Sequence, residues 1–238
     1  MIITTKGIVM RTTKYGDTSL IVKVFTKEQG NQSFIIKNAF RKNSRFHVST
    51  FGPLSKIELS YDDNSKGSLK YFKDVSPYNH DAELFFDPVK NSILLFYNEI
   101  LYKLLSDSGQ DSDLFDFIEN EIELLDTMPE NHRSNLPSEF IIRLSEISGY
   151  SPEDNYSEMN SYFYIPESQF VNYYFDNQMF LPAEESFCLH QMLNGVTDVQ
   201  MTRTVRINVL RGLVAYLQVH NEHIKKIDSL DILSSVLH

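Results

Sequence analysis

The hydrophobic period of this chain changes once, at Ser76-Pro77-Tyr78-Asn79-His80. Before that point apolar residues alternate with a period of two, as in half-buried strands. After it they recur every three or four residues, as on amphipathic helices. The change predicts an α+β protein: a five-stranded β-barrel domain over residues 1–78, then an α-helical domain over residues 79–238.

Five β-type runs precede the change. Gly7–Arg11, Ser19–Thr26 and Gln32–Lys37 are rich in Ile, Val and Phe and are separated by Tyr15-Gly16-Asp17 and Glu28-Gln29-Gly30-Asn31. In the second run Leu20, Val22 and Val24 share one face, while Ile21, Lys23 and Phe25 share the other. Leu54–Tyr61 and Leu69–Val75, joined by the turn cluster Asp62–Gly67, read as a hairpin. The pattern fits a small barrel of the oligonucleotide-binding (OB) type, and an SH3-like barrel nearly as well.

Charge divides at a similar place. Residues 1–60 hold ten Lys/Arg (Lys6, Arg11, Lys14, Lys23, Lys27, Lys37, Arg41, Lys42, Arg45, Lys56) against Asp17, Glu28 and Glu58, a balance of +7. The whole chain carries −10, so the remainder carries −17. An acidic protein that gathers its cations on one β module is expected to offer a polyanion-binding face there. The densest part is Phe40-Arg41-Lys42-Asn43-Ser44-Arg45-Phe46, a basic loop flanked by aromatics.

The order of these features resembles the opening of the RecO family of bacterial recombination mediators. The matching features are a strand ending in Arg11, the turn Tyr15-Gly16-Asp17, the turn Thr26-Lys27-Glu28-Gln29-Gly30, and a strand entering the basic loop from Lys37 to Phe46. The resemblance favours the OB barrel over the SH3-like one. It implies non-catalytic work: binding single- and double-stranded DNA, annealing complementary strands, and, with RecR, helping RecA replace single-stranded DNA-binding protein on gapped DNA. It also implies that the helical domain receives the acidic, hydrophobic C-terminal tail of single-stranded DNA-binding protein.

Beyond the change of period, Pro88 is expected to open a helix with Asp87 as its N-cap, ending near Asp107 to Gly109. Further helices are expected from about Asp111, over Pro137 to Ser148, Glu184–Asn194, Thr202–Asn221 and Ser229–Leu237, with a polar loop at Met128–Leu136. Ile227 to Leu233 resembles the family's terminal Leu-x-Ser-x-x-x-Leu pattern.

Gly149-Tyr150-Ser151-Pro152 is similar to a family Gly-x-x-Pro that many members follow with a four-cysteine zinc module. This chain has no cysteine there. Its irregular insert near residues 150–182 holds Tyr162, Phe163, Tyr164, Phe170, Tyr173, Tyr174, Phe175 and Phe180 instead, and aromatic packing is expected to stabilise it. Short strands are expected at Ser161–Ile165 and Asn172–Phe175.

Cys188, the one cysteine, leaves no internal disulfide and no cysteine-based zinc site. No apolar run approaches the ~18 residues of a membrane-spanning helix, and the N-terminus has no secretory signal pattern, so a cytoplasmic location is expected. No metal or other cofactor is expected. Motifs for phosphate loops, zinc proteases, serine hydrolases and dinucleotide binding are absent, and nothing argues for an enzyme.

The candidate nucleic-acid contacts are Arg11, Lys14, Lys37, Arg41, Lys42 and Arg45. Lys and Arg would meet phosphates without reading sequence. Phe40 and Phe46 either stack on bases or pack in the core. Arg203, Arg206 and Arg211 are weaker candidates for the partner tail, against a plain ion-pairing role in an acidic domain. His220 and His223, three apart, lack a third metal ligand and read as surface or helix-end histidines. The alternative reading is a protein–protein adaptor whose basic barrel face meets an acidic partner. An unrecognised hydrolase is a third reading.

Overall fold

The computed structural model describes residues 1–41, 43–63, 69–78, 84, 86–105, 109–177 and 179–237. Lys42, the turn residues 64–67 and the expected end of the first helix at 106–108 lie outside the described residues. The chain forms two compact units: residues 1–87 with 98–126, and residues 88–97 with 127–238.

The first unit is built on five antiparallel strands: β1 (Ile2–Tyr15), β2 (Ser19–Thr26), β3 (Gly30–Ile36), β4 (Lys56–Asp62) and β5 (Phe72–Pro77). Their order is β3-β2-β1-β4-β5. β1 serves two neighbours, pairing with β4 from Ile2 to Ile8 and with β2 from Gly7 to Tyr15. Among the described residues β3 is bridged to Lys70, just before β5, by a parallel bridge of Phe34 with Lys70, where the Ile35 N–H donates to the Lys70 carbonyl at 2.9 Å and the Lys70 N–H donates to that of Ser33 at 2.8 Å. This is the OB arrangement, short of a fully closed barrel.

The inward faces fill the barrel with Val9, Leu20, Val22, Val24, Phe34, Ile57, Leu59, Tyr61 and Phe72, all buried. Phe34 stacks on Phe72 at 4.2 Å and Phe51 on Phe72 at 5.5 Å. Phe46 packs on the same cluster, edge to face with Phe72. Of the two aromatics flanking the basic loop, Phe46 therefore belongs to the core margin, while Phe40 is exposed.

One irregularity decides what β1 shows to solvent. Val9 pairs with Val24, but Arg11 pairs with Lys23, so Met10 is an extra residue in a β-bulge. Without it Arg11 would share the inward face of Val9; the bulge turns Arg11 and Thr13 outward. Gly30 opens β3 at φ 62°, in the left-handed region, and a Cβ there would strike the Gly109 backbone. Only glycine fits.

Two helical pieces cover part of the barrel's outer face. α1 spans Pro88–Leu104, and its residues from Asn98 onward belong to this unit. α2 spans Ser112–Thr127. Phe115 on α2 meets Phe25 at 6.1 Å, and the Asn98 side chain donates to the Met10 carbonyl at 3.1 Å.

The second unit contains α3 (Leu136–Ile147), α4 (Ala183–Leu193), α5 (Arg203–His220) and α6 (Ser229–Val236), together with residues 88–97. Tyr97 stacks on Phe140 at 3.9 Å, and its hydroxyl donates to the Leu136 carbonyl. The polar stretch before α3 is a short 3-10 helix, Glu130–Asn135.

The aromatic insert forms a three-stranded sheet in the order β7-β6-β8: β6 (Tyr162–Tyr164), β7 (Gln169–Val171) and β8 (Phe180–Leu181). Asn172–Phe175 is not a strand, because β6 finds its partners in Gln169–Val171 on one side and Phe180–Leu181 on the other. Rings knit the insert together: Phe163 with Phe170 at 5.1 Å, Tyr156 with Phe170 at 5.4 Å and Tyr164 with Phe180 at 4.6 Å. The buried Ser186 hydroxyl accepts from the Phe163 N–H and donates to the Leu181 carbonyl, tying two strands to α4. His220 ends α5 and is hydrogen-bonded with Ser168 at 2.8 Å. His223 lies beyond the helix, so the two histidines do not share a helix face.

Candidate nucleic-acid interface

The outer face of β1–β3 is half covered and half open. Under α2, Ile8 and Phe25 are fully buried, and the cations at that end are paired. Lys27 is bound to Asp116 at 2.6 Å and Lys6 to Glu119 at 3.5 Å. The Asp116 hydrogen bond, partly opposed by desolvation, raises the Lys27 ammonium above its ordinary range.

Past the bulge the face is open. Cross-strand pairing sets Arg11 beside Lys23 and Lys23 beside Ser33, forming one row. The next row is Thr13, Ile21 and Ile35. Lys37, two residues after Ile35, lies just past the end of β3. Arg11, Thr13, Lys23 and Lys37 are exposed, and Ile21 and Ile35 are half-buried.

Two groups of cations border this face. At one end, Arg11 donates to the Tyr102 hydroxyl at 3.1 Å and lies 5.0 Å from its ring; Lys23 stands 5.4 Å from the same ring. Burial alone would raise the Tyr102 phenol. The Arg11 hydrogen bond and the charges of Lys23 and Arg11 outweigh it and bring the phenol below the ordinary tyrosine range.

At the other end lies the basic loop. Asn38 at φ 56° starts it, and it folds through two turns: the Arg41 N–H donates to the Asn38 carbonyl and the Ser44 N–H to that of Arg41. Lys14 sits 5.8 Å from the exposed Phe40 ring, and Lys37 sits 5.3 Å from exposed Tyr71. Arg41 is exposed. Arg45 donates to the Lys73 carbonyl at 2.5 Å and covers Phe46. Among the described residues no carboxylate pairs with Arg11, Lys14, Lys23, Lys37, Arg41 or Arg45. The structure thus places Arg11 with Lys23, Lys14 with Phe40, Lys37 with Tyr71 and Arg45 with Phe46, and leaves Arg41 exposed in the loop.

Sequence reasoning did not single out Lys23, Tyr71 or Tyr102. A signal existed for Lys23, the one charged residue in the outward row Ile21-Lys23-Phe25. Tyr102 carries none, because helical period alone places it on α1 without indicating what it faces.

The arginines of the second unit differ among themselves. Arg203 donates to the carbonyls of Leu237, Ser234 and Ser235, closing the C-terminal end of α6. Arg206 donates to the buried Asn135 side chain at 3.0 Å and to the Met201 carbonyl. Burial lowers the Arg206 guanidinium from its usual range, partly offset by Asp198. Arg211 is more than half exposed, 4.0 Å from Asp231. It borders a cavity of about 660 Å³ whose mixed lining includes Phe180, Leu181 and Leu230 as well as Asp176, Asn208, Gln218 and Lys226.

An OB barrel whose cationic face and loop have no carboxylate partners among the described residues, followed by a helical unit, is the class of protein these observations define. Two family descriptions match the chain: "Recombination protein O N terminal" over residues 1–80 and "Recombination protein O C terminal" over residues 86–228. The chain belongs to the RecO family of DNA repair and recombination proteins. It is 29% identical over 240 residues to the DNA repair protein RecO of Azobacteroides pseudotrichonymphae, covering 99% of each chain. It is 30% identical over 244 residues to that of Flavobacterium johnsoniae, again covering 99% of each, and 28% identical over 236 residues to that of Phocaeicola vulgatus, covering 98% of each.

Proposed function

We propose that this chain is a non-catalytic recombination mediator. It binds single- and double-stranded DNA through the open outer face of β1–β3 and the basic loop, with Arg11, Lys14, Lys37, Arg41, Lys42 and Arg45 as phosphate contacts. It anneals complementary strands and, with RecR, assists RecA loading on gapped DNA in the cytoplasm. Residues 1–78 act as the DNA-binding domain and residues 79–238 as the partner-binding domain. The acidic, hydrophobic tail of single-stranded DNA-binding protein is received at Arg211 and the cavity beside it, with Arg203 and Arg206 holding that region in shape.

One observation carries the DNA-binding part. Lys6 and Lys27 on the covered half of the barrel are paired with α2 carboxylates, whereas among the described residues no carboxylate pairs with the cations of the open half and loop. Free Lys and Arg beside exposed aromatics suit a strand whose phosphates meet charge and whose bases meet rings.

Fluorescence polarisation of labelled single-stranded DNA across a salt series tests this. Binding should weaken steeply with salt, with a log–log slope of about −0.7 per phosphate contacted. Reversing Arg41, Lys42 and Arg45 together should lower both affinity and slope. Retention of both would remove the loop from the interface and favour an adaptor whose barrel meets an acidic protein.

A further inference from the structure

The closed end of the open face has its own geometry. A cavity of about 200 Å³ lies there, lined by Lys23, Ser33 and Tyr102 with Met10 and Leu105 at its apolar sides. A strand following the open face meets the covered half of the sheet there. Tyr102 and Leu105 wall it, and the sheet beyond is occupied by Phe25 against Phe115.

The groups at this end suit one kind of ligand. Arg11 and Lys23 supply two cations without carboxylate partners among the described residues. The Tyr102 hydroxyl accepts from Arg11, which leaves its proton to donate outward. An internal phosphodiester carries one negative charge. A terminal phosphomonoester carries between one and two near neutral pH, because its second proton leaves near pH 6. Two cations and a hydroxyl donor beside the covered half of the sheet match the terminal group better than an internal one.

We propose that Arg11, Lys23 and Tyr102 form a phosphate site that seats the terminal phosphomonoester of a nucleic-acid strand lying on the β1–β3 face. The inference rests on the nucleic-acid reading above, and adds that the protein distinguishes a phosphorylated strand end from an unphosphorylated one.

Polarisation titrations of the full chain with one oligonucleotide carrying a 5′-phosphate, a 3′-phosphate or neither test it. One phosphorylated form should bind at least about threefold more tightly than the unphosphorylated form. That ratio should fall to near one in Tyr102→Phe and in the separate Arg11→Gln variant. As an independent readout, absorbance at the tyrosinate band should include a Tyr102 step below the ordinary tyrosine range. This step should disappear in Tyr102→Phe and move to higher pH when the preferred oligonucleotide is bound. Equal affinity for all three oligonucleotides would overturn the strand-end site while leaving DNA binding intact. Failure of all three to bind would overturn the nucleic-acid reading and the site with it. A Tyr102 step moved by inorganic phosphate but by neither phosphorylated oligonucleotide would reassign the pocket to the free anion and overturn the strand-end role.

Discussion

Lys27 Nζ lies 2.6 Å from Asp116 Oδ1, a cation of the β module held by a carboxylate of α2. That contact, with its neighbour Lys6–Glu119, shows that the +7 of the first sixty residues is not evenly available. The helix quenches the covered half of the barrel and leaves the other half charged.

The first prediction follows from this asymmetry. Lys6→Gln with Lys27→Gln should change single-stranded DNA affinity less than about twofold and leave the salt slope unaltered. Lys37→Gln with Arg41→Gln should weaken binding about tenfold and flatten the slope by about 0.7 per lost contact. Equal effects from the two pairs would place DNA on both halves of the barrel.

Tyr71 and Phe40 stand exposed beside Lys37 and Lys14. Replacing either by alanine should cost about 1–3 kcal/mol per stacked base in single-stranded binding. Duplex binding should suffer much less, because paired bases are not presented to a ring. Comparing single- and double-stranded probes in one buffer checks this, and equal losses on both would argue against stacking.

The Tyr61 hydroxyl is buried without a hydrogen-bond partner among the described residues, and burial, with Asp63 and Glu28 adding, pushes the phenol up to about 12. Folded Tyr61 keeps its proton where the unfolded chain, titrating near pH ~10, has lost it. Its stabilising effect is complete below pH ~10 and declines as pH rises toward ~12. Tyr61→Phe should leave the urea midpoint at pH 8 unchanged or raise it, within about 1 kcal/mol. It should also flatten the alkaline decline, of which buried Tyr216, likewise near 12, keeps a share. A clear loss of stability at pH 8 would reveal a role for the hydroxyl.

Arg203 and Arg211 should separate structure from binding. Arg203→Ala removes three donated bonds at the end of α6 and should cost about 1–3 kcal/mol in unfolding free energy. Arg211→Glu should leave the melting temperature within a degree or two, yet weaken binding of an acidic tail peptide severalfold. Loss of stability in Arg211→Glu with peptide binding retained would move the tail site elsewhere.

Several features were legible because they are local. Alternation in Ser19–Thr26 fixed which residues of β2 face inward, and Pro88 marked the first turn of α1. Others depended on partners far along the chain. Asn172–Phe175 has as much strand character as Gln169–Val171, but β6 had room for one neighbour on that side. Phe40 and Phe46 look alike in sequence, and only the position of Phe72 makes one of them core.

The residue pattern alone determined the β-to-α order, the inward face of β2 and the concentration of cations near the N-terminus, since each follows from periodicity or counting over a few neighbours. Tertiary structure decided which cations remain free. The bulge at Met10 reverses the facing of the rest of β1, and α2 brings Asp116 and Glu119 to Lys27 and Lys6. Charge neutralisation is set by distances of a few ångströms between residues some ninety to more than a hundred positions apart, which no local pattern records.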